Sequence, residues 1–171
     1  SIGCAWGDYD NDGDLDLFVA NHNGQNNCLY ANNGDGSFTK VTSDAVTTDG
    51  GNSYACAWGD YDNDGDLDLF VSNTNDQNSF FYTNNGDGSF TKVTSGAVVE
   101  DVGYFGGCAW GDYDNDGDLD LFIAEGMEPA DNFLYMNEGD GSFSKVAYGV
   151  VVKEGSASAD CTWIDYDLSL I

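Results

Sequence analysis

Apolar residues fall in short runs, four to each unit of about 52 residues, with polar turns between them. In the first unit the runs are Cys4-Ala5-Trp6, Leu15–Ala20, Cys28-Leu29-Tyr30 and Ser37–Thr42. Apolar spacing of three and four, the mark of an amphipathic helix, is absent, and runs this short predict β-strands. Apart from Asp16, the second run is apolar at odd and even positions alike, as expected of a strand covered on both faces. Asn33-Gly34-Asp35-Gly36, Asn85-Gly86-Asp87-Gly88 and Gly139-Asp140-Gly141 separate the third and fourth runs. Gly and Asn reach the positive φ that tight hairpins demand.

The pattern recurs nearly verbatim. The segment from Cys4 to Phe18 returns at Cys56 and at Cys108, and Trp6, Trp58, Trp110 and Trp163 are 52, 52 and 53 residues apart. Repeat one spans residues 3–54, repeat two 55–106 and repeat three 107–159, while a partial fourth covers 160–171. No linker divides them, so residues 1–171 read as one array. Four strands at a period near 50 is the arithmetic of a propeller blade. The expected fold is all-β: three complete four-stranded blades plus the first strand of a fourth. Three blades do not close a ring, and two open apolar faces are rarely tolerated in water. The array is therefore expected to belong to a larger or oligomeric propeller, its faces covered by neighbouring blades from a longer chain or from other copies. A start at Ser1 without Met reads as a fragment or processed product.

Charge changes the picture next. Four Lys and no Arg stand against 31 Asp and Glu, a formal net charge of -27. Neither phosphate nor anionic lipid finds a counter-charge, so nucleic acid and membrane insertion are excluded as expected partners. The acid is concentrated. Asp8, Asp10, Asp12, Asp14 and Asp16 fall on alternate positions around Gly13, and the set returns as Asp60, Asp62, Asp64, Asp66 and Asp68 around Gly65. It returns again as Asp112, Asp114, Asp116, Asp118 and Asp120 around Gly117. Five carboxylates so close repel one another unless a cation sits among them. Hard oxygen ligands at alternate positions, with Gly permitting a sharp turn, suit Ca²⁺, about three per chain. An EF-hand is ruled out, because Val19, Val71 and Ile123 hold the twelfth position where that loop needs Glu.

Asp-x-Asp-x-Asp-Gly-x-x-Asp followed by Leu-Phe-Val, then an Asn-Gly-Asp-Gly-Ser-Phe hairpin, resembles the FG-GAP/VCBS repeats of integrin-α-like β-propellers. The resemblance implies Ca²⁺ in the loop between the first two strands of each blade. By position it implies carboxylate ligands from Asp8, Asp10, Asp12 and Asp16, a backbone carbonyl ligand from Asp14, and the same scheme in repeats two and three. The Gly-Ala-Pro element is missing and Phe-Gly occurs only at Phe105-Gly106, which places the chain nearer the VCBS branch and leaves integrin ligand recognition behind. In the fourth loop Asp165 and Asp167 are followed by Leu168 with no Gly, and no metal is expected there.

Other chemistry is sparse. His22 stands in an Asn-rich turn, and with no second His and no Arg a Ser-His-Asp site cannot be assembled. Glu125 and Glu128 occur in repeat three only and read as a variant loop rather than a hydrolytic pair. Cys4, Cys56, Cys108 and Cys161 share one repeat position and read, with Cys28, as small buried hydrophobes; a Cys4–Cys28 bridge stays open. The four Trp read as a packing layer between blades, with a sugar-stacking platform as the rival. The leading expectation is a non-enzymatic, calcium-binding module for extracellular or cell-surface protein interaction, adhesion or structural assembly, with an unidentified protein or glycan partner. A calcium-dependent lectin is the first alternative and a polysaccharide lyase or dehydratase the second.

Overall fold

The computed structural model describes residues 1–127, 131–153 and 155–164. The first repeat folds as β1 (Gly3–Gly7), β2 (Asp16–Ala20), β3 (Gln25–Asn26), β4 (Cys28–Asn32), β5 (Phe38–Val41), a one-turn helix α1 (Ala45–Thr48) and β6 (Gly50–Gly51). The second comprises β7 (Ser53–Gly59), β8 (Asp68–Asn73), β9 (Phe80–Asn84), β10 (Phe90–Val93) and α2 (Ala97–Glu100). The third comprises β11 (Phe105–Gly111), β12 (Asp120–Glu125), β13 (Phe133–Asn137) and β14 (Phe143–Lys145).

Each repeat forms one antiparallel four-stranded meander, in the orders β1-β2-β4-β5, β7-β8-β9-β10 and β11-β12-β13-β14. A fourth, two-stranded antiparallel sheet joins β3 to β6. Register repeats with the sequence: Trp6 faces Leu17, Trp58 faces Leu69, and Trp110 faces Leu121. The hairpin glycines Gly34 and Gly36 take φ of 70° and 87°, values that a β-branched residue would adopt only under strain.

The first strands β1, β7 and β11 lie side by side, and the sheets stack face on face. Phe18, Leu29 and Val46 of repeat one pack against Leu69, Tyr82 and Phe90 of repeat two. Phe70, Phe81 and Val98 meet Leu121, Ile123 and Tyr135 at the next interface. Trp58 and Trp110 sit in these layers, stacked on Tyr9 at 6.4 Å and on Tyr61 at 6.5 Å. Polar ties repeat as faithfully as apolar ones. Asp49, just past α1, accepts from Tyr82 Oη at 3.0 Å and pairs with Lys92 Nζ at 2.8 Å. Asp101, just past α2, does the same for Tyr135 at 2.7 Å and Lys145 at 2.8 Å.

Two expectations need adjusting. The one-turn helices have no counterpart in the hydrophobic pattern; α1 is held by Asp44, whose side chain accepts from Val46 N. Residues 160–164 form no strand, although Gly107 N donates to Ala159 O at 2.9 Å as the segment runs beside β11. The Cys161 amide goes to its neighbour's side chain, Asp160 Oδ1 at 2.9 Å, rather than to a facing strand. The calls on Asp165, Asp167 and the rest of that loop lie outside the described residues.

Candidate metal centre

The acidic loops join β1 to β2, β7 to β8 and β11 to β12. Each begins where a first strand ends and finishes on an Asp that opens the second strand. Asn11, Asn63 and Asn115 turn the loops with φ of 57°, 58° and 62°, and Gly13, Gly65 and Gly117 turn them again at 93°, 94° and 98°. Asn tolerates the left-handed region because its short amide bonds locally; Gly has no Cβ to obstruct.

The structure brings together one carboxylate oxygen each from Asp8, Asp10 and Asp16, all within 4.8 Å of one another. Asp60, Asp62 and Asp68 form the same group, as do Asp112, Asp114 and Asp120. The remaining acids of each loop are placed differently. Asp12 Oδ1 accepts from Asp14 N at 2.9 Å, and Asp64 and Asp116 repeat that bond. The Asp66 and Asp118 carboxylates turn toward the preceding repeat, where Asn11 Nδ2 reaches Asp66 Oδ1 at 2.6 Å and Asn63 Nδ2 reaches Asp118 Oδ1 at 2.7 Å. Asp12, Asp64 and Asp116 therefore stand beside the carboxylate group rather than in it.

Backbone amides prepare the cluster. Asp8 accepts from Asp12 N and Gly13 N, both at 3.0 Å. Asp16, fully buried, accepts from Tyr9 N at 3.1 Å and Asn32 N at 2.8 Å. Asp68 accepts from Tyr61 N and Asn84 N, and Asp120 from Tyr113 N and Asn137 N. A carboxylate has about four lone-pair sites, so two amides leave room for a cation. Burial pushes the Asp16 and Asp120 carboxyls above the usual range and Asp68 up to about 7, with their acidic neighbours adding to the shift against the amide bonds. Three hard oxygens aimed at one point, with a buried charge uncompensated by any Lys, form a donor set that fits Ca²⁺.

Sequence reasoning missed the loop asparagines. Their signal was present, since Asn holds one position in all three loops, but Asn11 and Asn63 do their work across repeats, where spacing within a loop is blind. The rest of the candidate chemistry is quiet. His22 is half-buried in its turn, with Nδ1 bonded to Asn23 Oδ1 at 2.8 Å. Glu125 is buried and accepts from Tyr104 N at 3.1 Å and Met127 N at 3.3 Å; Glu128 lies outside the described residues. All five cysteines are free. Cys4 and Cys28 flank Val19 on the two sides of β2, and two strand spacings put their Cα atoms about 10 Å apart, too far for a bridge. Burial pushes the Cys56 thiol up to about 12, which makes it inert rather than nucleophilic. Of the five expected to be buried, only Cys108 is; Cys28, Cys56 and Cys161 are half-buried, and Cys4 is exposed because no sheet covers its side of the first repeat.

The FG-GAP-like repeat family matches the chain three times, over residues 8–71, 60–123 and 112–168. Over 71 residues the chain is 38% identical to Cartilage acidic protein 1 of Xenopus tropicalis, a stretch that covers 41% of this chain and 11% of that protein. Among solved structures it is similar to an Agrocybe aegerita lectin described as specifically recognising non-reducing terminal N-acetylglucosamine. That likeness has a TM-score of 0.56 at 18% identity and covers 90% of this chain and 41% of the lectin. It extends the propeller-like fold to this chain and carries nothing about sugar. The chain spans about a tenth of the length of its curated relative and under half that of the lectin.

Proposed function

The chain belongs to the FG-GAP-like repeat family, and from that premise we propose that it is a calcium-binding, propeller-type module for extracellular interaction or structural assembly. The observation that carries this reading is the threefold recurrence of one carboxylate group in one loop. Asp8, Asp10 and Asp16 would hold the first ion, Asp60, Asp62 and Asp68 the second, and Asp112, Asp114 and Asp120 the third. By the family resemblance, Asp12, Asp64 and Asp116 would add a carboxylate and Asp14, Asp66 and Asp118 a carbonyl. The bound cation would cancel repulsion within each loop. The residues themselves pin the first strand to the second: Asp16 ties β2 to the Tyr9 amide and, through Asn32, to β4.

The extracellular setting is supported by the affinity range of such loops, since millimolar free Ca²⁺ fills sites that cytosolic levels leave empty. We propose no catalysis. The one His is half-buried against the Asn23 and Asn75 side chains, Glu125 is committed to backbone amides, and burial leaves the Cys56 thiol inert.

Titration calorimetry tests the central reading. About three Ca²⁺ should bind per chain at millimolar concentration. Asp10→Ala, Asp62→Ala and Asp114→Ala should each remove one, since each carboxylate belongs to a single loop's group. No uptake of Ca²⁺ would refute it.

A lectin is the second reading. Asn132, Asp160, Thr162 and Trp163 line an open cleft of about 300 Å³ beside the third sheet, a mixture of polar and aromatic groups of the kind that grips sugar. A glycan array with and without Ca²⁺ separates the two.

A further inference from the structure

The buried carboxylate of each acidic loop is a link in one hydrogen-bonded line that crosses all three repeats. The line starts at Asp16 Oδ2, which accepts from Tyr9 N at 3.1 Å. The carbonyl of Tyr9 accepts from Asn84 Nδ2 at 2.7 Å, and Asn84 N donates to Asp68 Oδ1 at 2.9 Å. From Asp68 the same steps recur. Tyr61 N donates to Asp68 Oδ2 at 3.1 Å, Asn137 Nδ2 to Tyr61 O at 2.7 Å, and Asn137 N to Asp120 Oδ1 at 2.9 Å. Every residue in the line is buried.

A second path runs parallel at the surface. Asn11 Nδ2 donates to Asp66 Oδ1 at 2.6 Å, and Asn63 Nδ2 to Asp118 Oδ1 at 2.7 Å. The two acceptors are also fixed within their own repeats. Asp66 N and Asp118 N donate to Asp64 and Asp116, each at 2.9 Å. Their second oxygens lie against hairpin glycines, so close that a Cβ on Gly86 or Gly139 would come within 2.7 Å or 2.6 Å.

Both paths begin inside one acidic loop and end inside the next. Tyr9 stands between Asp8 and Asp10, two of the three acids that converge in the first loop, and Asn11 follows Asp10. Fixing that loop therefore fixes the Tyr9 carbonyl and the Asn11 amide, the two groups that Asn84 and Asp66 engage. Asn84 in turn holds Asp68, a member of the converging group in the second loop.

We propose that Asn84 and Asn137, together with Asn11 and Asn63, are positioning residues that couple the three loops, so that Ca²⁺ fills them cooperatively. This inference rests on the calcium reading. Electrostatics alone has the opposite sign, because each ion that fills one loop lowers the negative potential at the next. The shared bonds reverse it: the order that the first ion imposes is already in place for the second, and linkage makes the effect reciprocal. Couplings of this kind begin at about fivefold in affinity, and two of them raise the mean affinity of three sites about threefold.

Calorimetric titration of the whole chain should show about three Ca²⁺ bound with a Hill coefficient above one. In the Asn11→Gly/Asn63→Gly variant, Gly keeps the left-handed φ of 57° and 58° but has no amide. About three ions should still bind, with a lower Hill coefficient and a half-saturating concentration raised by up to about threefold. Asn84→Leu severs the buried step between the first two loops and should lower the Hill coefficient as well; circular dichroism checks that it folds. Asn115→Gly is the control, since Asn115 holds the same loop position at φ 62° and its side chain makes no hydrogen bond among the described residues. It should keep wild-type cooperativity. A wild-type Hill coefficient of one or less, or one that neither variant lowers, overturns the coupling and leaves the calcium reading standing. An equal loss in Asn115→Gly assigns the effect to each loop's own turn and overturns it too. No Ca²⁺ uptake by the wild type overturns both.

Discussion

Asp68 shows how the candidate site and stability pull against each other. Its side chain is fully buried between two backbone amides, and burial lifts its carboxyl to about 7 against an ordinary value near 3.8. Asp16 and Asp120 shift in the same direction for the same reason. Between pH 4 and 7 the metal-free native state holds more protons than the unfolded chain, so its stability falls as pH rises through that window. Asp35, Asp87 and Asp140 shift downward through their Ser partners, but they are fully exposed and act only below pH 4. A cation reverses the balance, because it prefers the ionised carboxylate and displaces the proton. Melting in chelator is thus expected to occur at a lower temperature at pH 8 than at pH 5, and the increment added by Ca²⁺ to grow from pH 5 to 8. A metal-free melting temperature that rises with pH would contradict the burial of these charges.

Between elements, close approach decides which residues are tolerated. A Cβ on Gly59 would lie 2.7 Å from the Trp110 ring, and one on Gly7 equally near Trp58, so the end of each first strand is bare where the next repeat's indole crosses it. Gly59→Ala should cost about 1–3 kcal/mol in denaturant unfolding, as overpacking does, with little effect on Ca²⁺ uptake; an unchanged midpoint would mean that the indole can retreat freely. This spacing also explains what the sequence made legible. The four-stranded sheets, hairpin glycines and acidic loops are local or recur at fixed intervals, and they are found where the pattern puts them, whereas the expected first strand of a fourth blade is not formed over residues 160–164 and the β3–β6 pair is additional. Helices α1 and α2 are one turn long, too short for a 3.6-residue rhythm to register. The ties from Asn84 to Tyr9 and from Asn11 to Asp66 span 75 and 55 residues, and no local pattern points across such distances. The same blindness affected Cys4, whose buried reading assumed a cover that only the later repeats possess.

For the molecule as a whole the deciding quantity is charge. A formal -27 spread over 171 residues opposes compaction, and 15 of the acids sit in three loops on equivalent turns of the stacked sheets. Three divalent cations would remove six charges where repulsion is densest. With site affinities near ~10⁻⁴ M and millimolar Ca²⁺, mass action contributes about 1.4 kcal/mol per site, or about 4 kcal/mol for three. That is a large share of the net stability of an ordinary domain. Chelation should therefore lower the melting temperature by roughly 8–16 °C for a chain of this size. Monovalent salt should restore part of the loss by screening the loops, but it cannot bridge Asp8, Asp10 and Asp16 as one divalent ion would. The comparison that matters is Ca²⁺ against an ionic-strength-matched sodium control. If sodium alone recovers the full melting temperature, the loops need only screening, and coordination has no part in holding the repeats.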